Sequence, residues 1–276
     1  MPHPDTPIEP SALPKYSIVI PVRNEEDCLE AVIGELVSFL VDKGIPLEIV
    51  AVLDGCTDAS ESVLEKMFMG SHILKIVKTP DESHGFGVAV STGLCSASGD
   101  FVTIMMADGS DSPSDALRYY EALHRGSECV FGSRFVKGGS RDNYPKVKLV
   151  LNRIANWAIQ RVFGFDLNDT TNAFKGYRRH VIAEISPLAS KQFNITVELP
   201  VKAILGGYSY SIIPVSWKNR KTGESKLRIR EMGSKYLMTC LYLWAEKVLK
   251  SPSGVRIKKN GNPTVRDKCS SIFPVT

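Results

Sequence analysis

Phe101-Val102-Thr103-Ile104-Met105-Met106-Ala107-Asp108-Gly109-Ser110-Asp111-Ser112-Pro113 is the stretch whose reading decides the fold. Six apolar or β-branched residues, 101–106, stop at a cluster of small and acidic ones. A buried strand that delivers carboxylates to the edge of a parallel sheet has this form, and in open α/β sheets ligands bind in the crevice beyond the carboxyl ends of the strands. Carboxylates there suit a hard divalent cation, which in turn neutralises phosphate. A plain strand, turn and helix N-cap, with Ser112 or Ser114 as the cap, accounts for the same residues.

Working outward, the same grammar repeats. Residues 16–22, YSIVIPV, form a first strand, followed by Arg23-Asn24-Glu25-Glu26 and a helix to about Val41 with apolar residues at helical spacing. Residues 47–53 are a second strand, ending in Asp54-Gly55-Cys56-Thr57-Asp58; residues 72–77 are a third, followed by Ser83-His84-Gly85-Phe86-Gly87 and a small-residue helix, 88–97. A helix over 114–125 and a strand over 128–132 follow the central stretch. Strands alternating with helices predict right-handed βαβ units and a mostly parallel, Rossmann-like sheet flanked by helices. The ends of strands one, two and four should then share a crevice, which brings Glu25, Asp54 and Asp108 together.

The second half departs from this rhythm. Gly138-Gly139-Ser140 predicts a flexible loop, and residues 146–163 an amphipathic helix with Leu149, Val150, Ile154, Trp157, Ala158 and Val162 on one side and Lys146, Lys148, Arg153 and Arg161 as its charges. A polar loop, 169–174, runs into a strand. A helix over 195–206 holds Glu198, a strand spans 208–216, Trp217 to Lys226 is a basic loop, and a last helix covers about 231–250. Residues 1–15 read as a flexible leader and 251–276 as a disordered tail around one folded unit, 16–250.

Composition narrows the classes. A chain of 276 residues with 43% hydrophobic and 23% charged content is ordinary for a globular protein, and a net charge of +4 does not mark a nucleic-acid binder. Much of the positive excess lies after residue 134. The six cysteines have no CxxC pair and read as small buried hydrophobes in a reducing compartment. The leader lacks an apolar core, so it is no signal peptide, and no apolar run approaches the roughly 20 residues that span a bilayer. A cytoplasmic protein is expected.

Each motif has a bland counterpart. Glu25 and Asp54 can accept hydrogen bonds from a nucleotide, or simply start helices. Gly85 and Gly87 lack the third glycine of a dinucleotide fingerprint. They suit a close backbone approach to a ligand at a helix N-terminus, or a turn. Arg134, Lys148, Arg153, Arg178, Arg220 and Lys226 are a dispersed basic set able to bind phosphate or to sit in water; Arg134 stands at a strand end. The helices 146–163 and 231–250 combine Trp, aliphatics and positive charge, which suits an anionic membrane surface or packing on the sheet. His84, His124 and His180 have no ligand-like spacing.

Taken in order, Pro21-x-x-Asn24-Glu25, Asp54-Gly55-x-Thr57-Asp58, Gly85-x-Gly87, Ser98-Gly99-Asp100 and Ala107-Asp108 resemble family 2 glycosyltransferases of the GT-A fold. Gly132-Ser133-Arg134-Phe135, the run Asp169 to Arg178, and Gly223-Glu224-Ser225-Lys226 resemble the dolichyl-phosphate (polyprenyl-phosphate) mannosyltransferase branch. The resemblance covers about 16–249. It implies inverting transfer of a hexose from a nucleotide-diphosphate sugar, of the GDP-mannose or UDP-glucose type, to a polyprenyl phosphate, with Mg²⁺ or Mn²⁺. It implies a nucleotide-sugar half, 16–133, and an acceptor half, 134–250. Pro21, Asn24, Glu25, Asp54, Gly85, Gly87, Ala107 and Asp108 would line the donor. Arg134, Lys148, Asn152, Asp169, Arg220 and Lys226 would line the acceptor, and Asp108, Asp111 and Arg134 would be catalytic.

Two positions depart from the branch. Leu53 replaces the first acid of a paired Asp-Asp, and Met106 the first acid of Asp-x-Asp. Methionine is a poor ligand for a hard cation, so Asp111 is expected to supply the missing carboxylate, with Ser110 as a minor ligand. The protein would sit peripherally at the cytoplasmic membrane face, with any membrane anchor supplied by a separate chain. Rival readings are a family 2 transferase acting on a carbohydrate hydroxyl, with Asp169 or Glu198 as base, and a catalytically weakened nucleotide-sugar-binding protein.

Overall fold

A computed structural model describes residues 13–67, 71–142, 144–218 and 229–249. The expected leader and tail, and the segment 219–228 with Arg220 and Lys226, lie largely or wholly outside these residues. The elements run β1 (Tyr16–Val22), α1 (Glu26–Asp42), β2 (Leu47–Leu53), α2 (Ser60–Met67), β3 (Leu74–Lys78), α3 (Phe86–Ser96), β4 (Phe101–Ile104), α4 (Pro113–His124), β5 (Cys129–Ser133), β6 (Ser140–Asp142), α5 (Lys146–Phe163), β7 (Lys175–Arg178), α6 (Arg179–Ile185), α7 (Ile195–Leu205), β8 (Tyr210–Pro214), β9 (Ser216–Lys218) and α8 (Ile229–Leu249).

The main sheet has seven strands in the order β3-β2-β1-β4-β7-β5-β8. β1 pairs in parallel with β2 and with β4, aligning Val22 with Leu53 and Val19 with Ile104. The chain builds outward from β1 to β3, then returns to place β4 on the other side of β1. That reversal makes the β1/β4 boundary a topological switch point, where a crevice opens beyond the strand ends. Strand β7 enters antiparallel between β4 and β5. The sequence predicted the strand but not its place. Gly176 permits it, because a Cβ there would come within 2.9 Å of both Thr103 Oγ1 and Tyr119 Cδ1.

Alternation along the strands divides the core. Tyr16, Ile18, Ile20 and Val22 pack towards α1 and α4, whereas Val19, Val50 and Val52 pack towards α3. Three expectations are corrected. Ser140 is not in a flexible loop but begins β6, which pairs in parallel with β9. Helix α6 was not foreseen. Cys95 is disulfide-bonded, so not all the cysteines are thiols, although Cys28, Cys56, Cys129 and Cys240 are free.

At the opposite end of the sheet from the crevice, Glu48 ties β2 to the turn before β4. Burial alone would raise its carboxyl pKa, but hydrogen bonds from Ser17, Ser98 and Lys15 outweigh this and pull it to about 2. A carboxylate depressed on folding contributes stability that is complete above its unfolded pKa and is lost as pH falls through the folded one. The stability difference between the wild type and Glu48→Gln, measured by urea unfolding, is therefore expected to be constant above pH 5 and to shrink as the pH falls from about 4.5 to 2.

Candidate functional site

The crevice is built from three strand ends. At the end of β1, Asn24 adopts a left-handed backbone, φ 53°. Its side-chain amide donates to Thr57 Oγ1 at 3.1 Å and its oxygen accepts from Thr57 N–H at 2.8 Å. Glu26 and Asp58 exchange similar bonds with the opposite backbone. The motif residues after β1 and β2 therefore lock the two turns together, and Asn24 holds the crevice wall. Cys28 Sγ lies 3.6 Å from Glu25 Oε2 and 3.3 Å from Ala107 O. The end of β1 thus touches the end of β4, and Glu25 and Asp108 share one rim, as expected from the βαβ reading. Pro21 is buried within β1.

Asp54 is buried and engaged. Both its oxygens accept from Gly85 N–H, at 3.0 and 3.1 Å, and Thr79 Oγ1 donates at 3.3 Å. His84 Nδ1 lies 3.4 Å away and Arg23 Nη1 3.5 Å. Asp54 fastens the 83–87 turn to the sheet end and brings His84 into the crevice, which spacing alone did not signal. The glycines also permit a close approach of the chain to itself. The amides of Gly87 and Val88, at the start of α3, donate to Lys191 O at 3.1 and 3.3 Å. A Cβ on Gly87 would lie 2.2 Å from Ser190 O, and one on Gly85 2.4 Å from Lys191 O. This close backbone approach is made by the chain's own 190–192 turn, which packs against the N-terminus of α3.

After β4, Asp108 is half-buried and its Oδ1 accepts from Ser110 N–H at 3.1 Å. The buried Asp111 folds back so that Oδ2 accepts from Met106 N–H at 2.9 Å. Burial, helped by the nearby Asp108 charge and opposed by Arg134 and the Met106 bond, pushes the Asp111 carboxyl up to about 7. Two carboxylates with mutual electrostatic contact fit a cation that takes its remaining oxygens from a diphosphate. They do not form an all-protein cage: among the described residues no group of three or more His, Cys, Asp or Glu is placed to hold a metal. Ser110 is buried beneath this turn.

The flank that the resemblance assigns to the acceptor centres on Arg134, at the turn after β5. Its Nε and Nη2 donate to the two oxygens of Asp169 at 2.8 and 2.7 Å, and its backbone N–H adds a third bond at 2.9 Å. Burial alone would lower the guanidinium pKa; the Asp169 carboxylate outweighs it and pushes it up. The loop bearing Asp169 is pinned on all sides. Asn156 Oδ1 accepts from Thr170 N–H at 2.6 Å, Asn152 Nδ2 donates to Thr171 Oγ1 at 2.8 Å, and Lys175 Nζ donates to Thr170 O and Asn172 O. Burial brings the Lys175 ammonium down to about 7, with Asp169 opposing. Asn152 therefore braces this loop. Lys148 reaches over the Tyr144 ring at 5.8 Å, beside Arg134 at 5.5 Å.

Both candidate bases are engaged within the fold. Asp169 is fully buried against Arg134. Glu198, also fully buried, accepts from Ala189 and Ser190 N–H at 2.8 and 2.7 Å and pairs with Lys202 at 2.9 Å.

The helices beside this flank turn apolar surface outwards. On α5, Val147, Val150, Leu151, Ile154, Trp157 and Val162 are exposed; on α8, Leu237, Met238, Leu241, Trp244 and Leu249 are. Lys247 Nζ, on α8, donates to Phe163 O at 3.1 Å at the end of α5, which joins the two helices. No described helix is long and apolar enough to cross a membrane.

Residues 17–186 match the family model for glycosyl transferase family 2. A polyprenol monophosphomannose synthase of Mycolicibacterium smegmatis is 28% identical over 216 residues, 76% of this chain and 80% of that protein. A dolichol-phosphate mannosyltransferase of Pyrococcus furiosus is 29% identical over 221 residues, 78% of this chain and 59% of that one. Among solved structures, glucosyl-3-phosphoglycerate synthase of Mycobacterium tuberculosis, in complex with Mn²⁺, UDP and phosphoglyceric acid, superposes with a TM-score of 0.63 at 20% identity, over 84% of this chain and 78% of that one. That likeness carries the fold, which is GT-A.

Proposed function

The chain belongs to glycosyltransferase family 2, and from that premise we propose that it moves a hexose from a nucleotide-diphosphate sugar to a polyprenyl phosphate at a membrane surface, with Mg²⁺ or Mn²⁺. The observation that carries the acceptor class is the make-up of the acceptor flank, where basic side chains gather and both candidate base carboxylates are locked in structural bonds. A hydroxyl acceptor needs a base to take its proton. A phosphate acceptor is already anionic near neutral pH and needs positioning. The names of the mannosyltransferase relatives support the same choice.

The chain's residues divide the work. Glu25, the 83–87 turn held by Asp54, and Asp108 would line the donor. Asp108 and Asp111 would hold the divalent cation, which supplies Lewis-acid stabilisation of charge growing on the departing diphosphate. Asp111 returns to the Met106 amide, and so brings a carboxylate back towards the position where the family's first acid is replaced. The acceptor phosphate oxygen attacks the anomeric carbon, the bond to the diphosphate breaks, and configuration inverts. Asp111→Asn preserves shape while removing charge. It is expected to lower cation-dependent transfer about 10–100-fold, and wild-type kcat would show that this second acid is not a ligand.

The outward apolar faces of α5 and α8, with Arg153, Arg161 and Lys247 among them, fit peripheral attachment to an anionic bilayer. Trp157→Glu combined with Trp244→Glu is expected to reduce sedimentation with anionic vesicles about ten-fold or more, while transfer to a short-chain, detergent-dispersed acceptor persists. Unchanged sedimentation would place the membrane contact elsewhere.

A further inference from the structure

The donor side of the crevice is held from behind by residues 190–194, which no motif singled out. They join the start of α3 in three ways. Lys191 O accepts from Gly87 and Val88 N–H at 3.1 and 3.3 Å. Gln192 Nε2 donates to His84 O at 3.3 Å. Phe193 stacks on Phe86, with ring centroids 4.3 Å apart and planes within 6° of parallel. His84 and Gly85 are also the residues that meet Asp54. The 83–87 turn is therefore gripped by Asp54 on one side and by 191–193 on the other.

Helix α8 holds the same segment. The Tyr236 hydroxyl donates to Phe193 O at 3.3 Å and lies 3.5 Å from Thr196 Oγ1. Asn194 Nδ2 donates to Ser190 Oγ and to Thr239 Oγ1, at 2.8 Å each. Thr239 faces inward, whereas Leu237, Met238, Leu241 and Trp244 on the same helix are exposed. One helix thus carries an apolar face on its outer side and polar bonds to the donor wall on its inner side.

The two junctions differ in tightness. Between 190–194 and α8, a cleft of about 380 Å³ separates Ser190 and Asn194 from Met238 and Tyr242. Within this seam Asn194 Oδ1 is buried with no hydrogen-bond partner among the described residues. An unsatisfied buried acceptor carries a desolvation cost, and the cleft leaves room for α8 to settle differently. Between 190–194 and α3 there is no such slack, since a Cβ on Gly87 would lie 2.2 Å from Ser190 O. Close-packed contacts transmit displacement, so a shift of this turn is passed on to the 83–87 turn.

We propose that Phe193 and Asn194 are positioning residues for the nucleotide-sugar donor, and that seating α8 in an anionic bilayer tightens donor binding through them. The bilayer acts on the outer face of α8, the donor acts on the 83–87 turn, and 190–194 is the element that both bias. This rests on the reading of the crevice as the donor site and of α8 as a membrane face.

The test uses the full chain, with GDP and UDP, each with Mn²⁺, as calorimetric probes in the presence and absence of phosphatidylglycerol vesicles. Vesicles are expected to lower the Kd of the nucleotide that binds about five-fold or more in the wild type. Thr239→Val keeps the size of the side chain and removes its bond to Asn194; Phe193→Leu removes the stack on Phe86. Both variants are expected to sediment with vesicles as the wild type does, with Tm close to wild type, and to lose most of that change in Kd. If Phe193→Leu fails to fold, Thr239→Val decides alone. Linkage requires the reverse effect, so saturating nucleotide should raise vesicle affinity by the same factor. A wild-type Kd that vesicles leave unchanged, a change of equal size in the variants, or an effect in one direction only overturns the proposal. The underlying readings fail separately. A wild type that binds neither nucleotide refutes the donor crevice, one that binds nucleotide but no vesicles refutes the membrane face, and the coupling falls with either.

Discussion

Asp108→Ala is expected to lower cation-dependent sugar transfer about 10³-fold at saturating donor and acceptor, because a residue that holds the charge-stabilising group at the leaving diphosphate acts on the transition state. Asp108 stands just past β4, on the rim shared with Glu25, and its carboxylate is braced by Ser110 N–H. The side chain is half-buried and contributes little to the core, so folding should survive its loss. The assay compares kcat across a Mg²⁺ and Mn²⁺ series, with Tm as the control. Near wild-type activity in Asp108→Ala would remove the carboxylate from the site. A loss that excess cation restores would show that it contributes affinity for the ion alone.

The second large effect concerns the Arg134–Asp169 pair. Removing one partner leaves the other buried and uncompensated, a change that costs about 3–5 kcal/mol in comparable pairs. Arg134→Ala and Asp169→Ala are each expected to destabilise by that order in urea unfolding. The double variant should lose less than the sum, because no lone charge remains. Asp169→Asn separates this role from base catalysis. A structural Asp169 predicts a lowered Tm and a raised acceptor KM, whereas a base predicts lost transfer at unchanged Tm. Additive losses in the double variant would contradict the pairing.

Local grammar carried much of the fold. The runs 16–22, 47–53 and 101–106 read as strands because a parallel sheet buries both faces, and their acidic ends followed from the βαβ order. What local pattern could not convey was long-range placement. Lys175–Arg178 is four residues long with a central glycine, and nothing local says that it slots antiparallel beside β4. Nor could spacing show that the amides at Gly87 and Val88 are taken by Lys191 O, a partner about a hundred residues away.

The candidate site divides in the same way. Glu25, Asp108 and Asp111 gather where the strand order put them. Asn24, Asp54 and Asn152 were legible as important, but their side chains hold turns and loops of the chain itself. His84 reads as an ordinary residue without ligand-like spacing because its contact is with Asp54, thirty residues earlier. The periodicity of 146–163 identified an amphipathic helix but not the direction of its apolar face, which depends on what packs beneath it. Asn156, Ile159 and Phe163 face inward, leaving Trp157 and its neighbours outside.

The most direct measurement is a donor screen of the purified chain, offering GDP-mannose, UDP-glucose and related nucleotide sugars with polyprenyl phosphate and either Mg²⁺ or Mn²⁺, and reading products by mass. The account predicts a polyprenyl phosphate heavier by one hexose, formed only with a divalent cation and absent when the unphosphorylated polyprenol replaces the acceptor. Hexose transfer to the polyprenol or to a sugar hydroxyl, with none to polyprenyl phosphate, would contradict it.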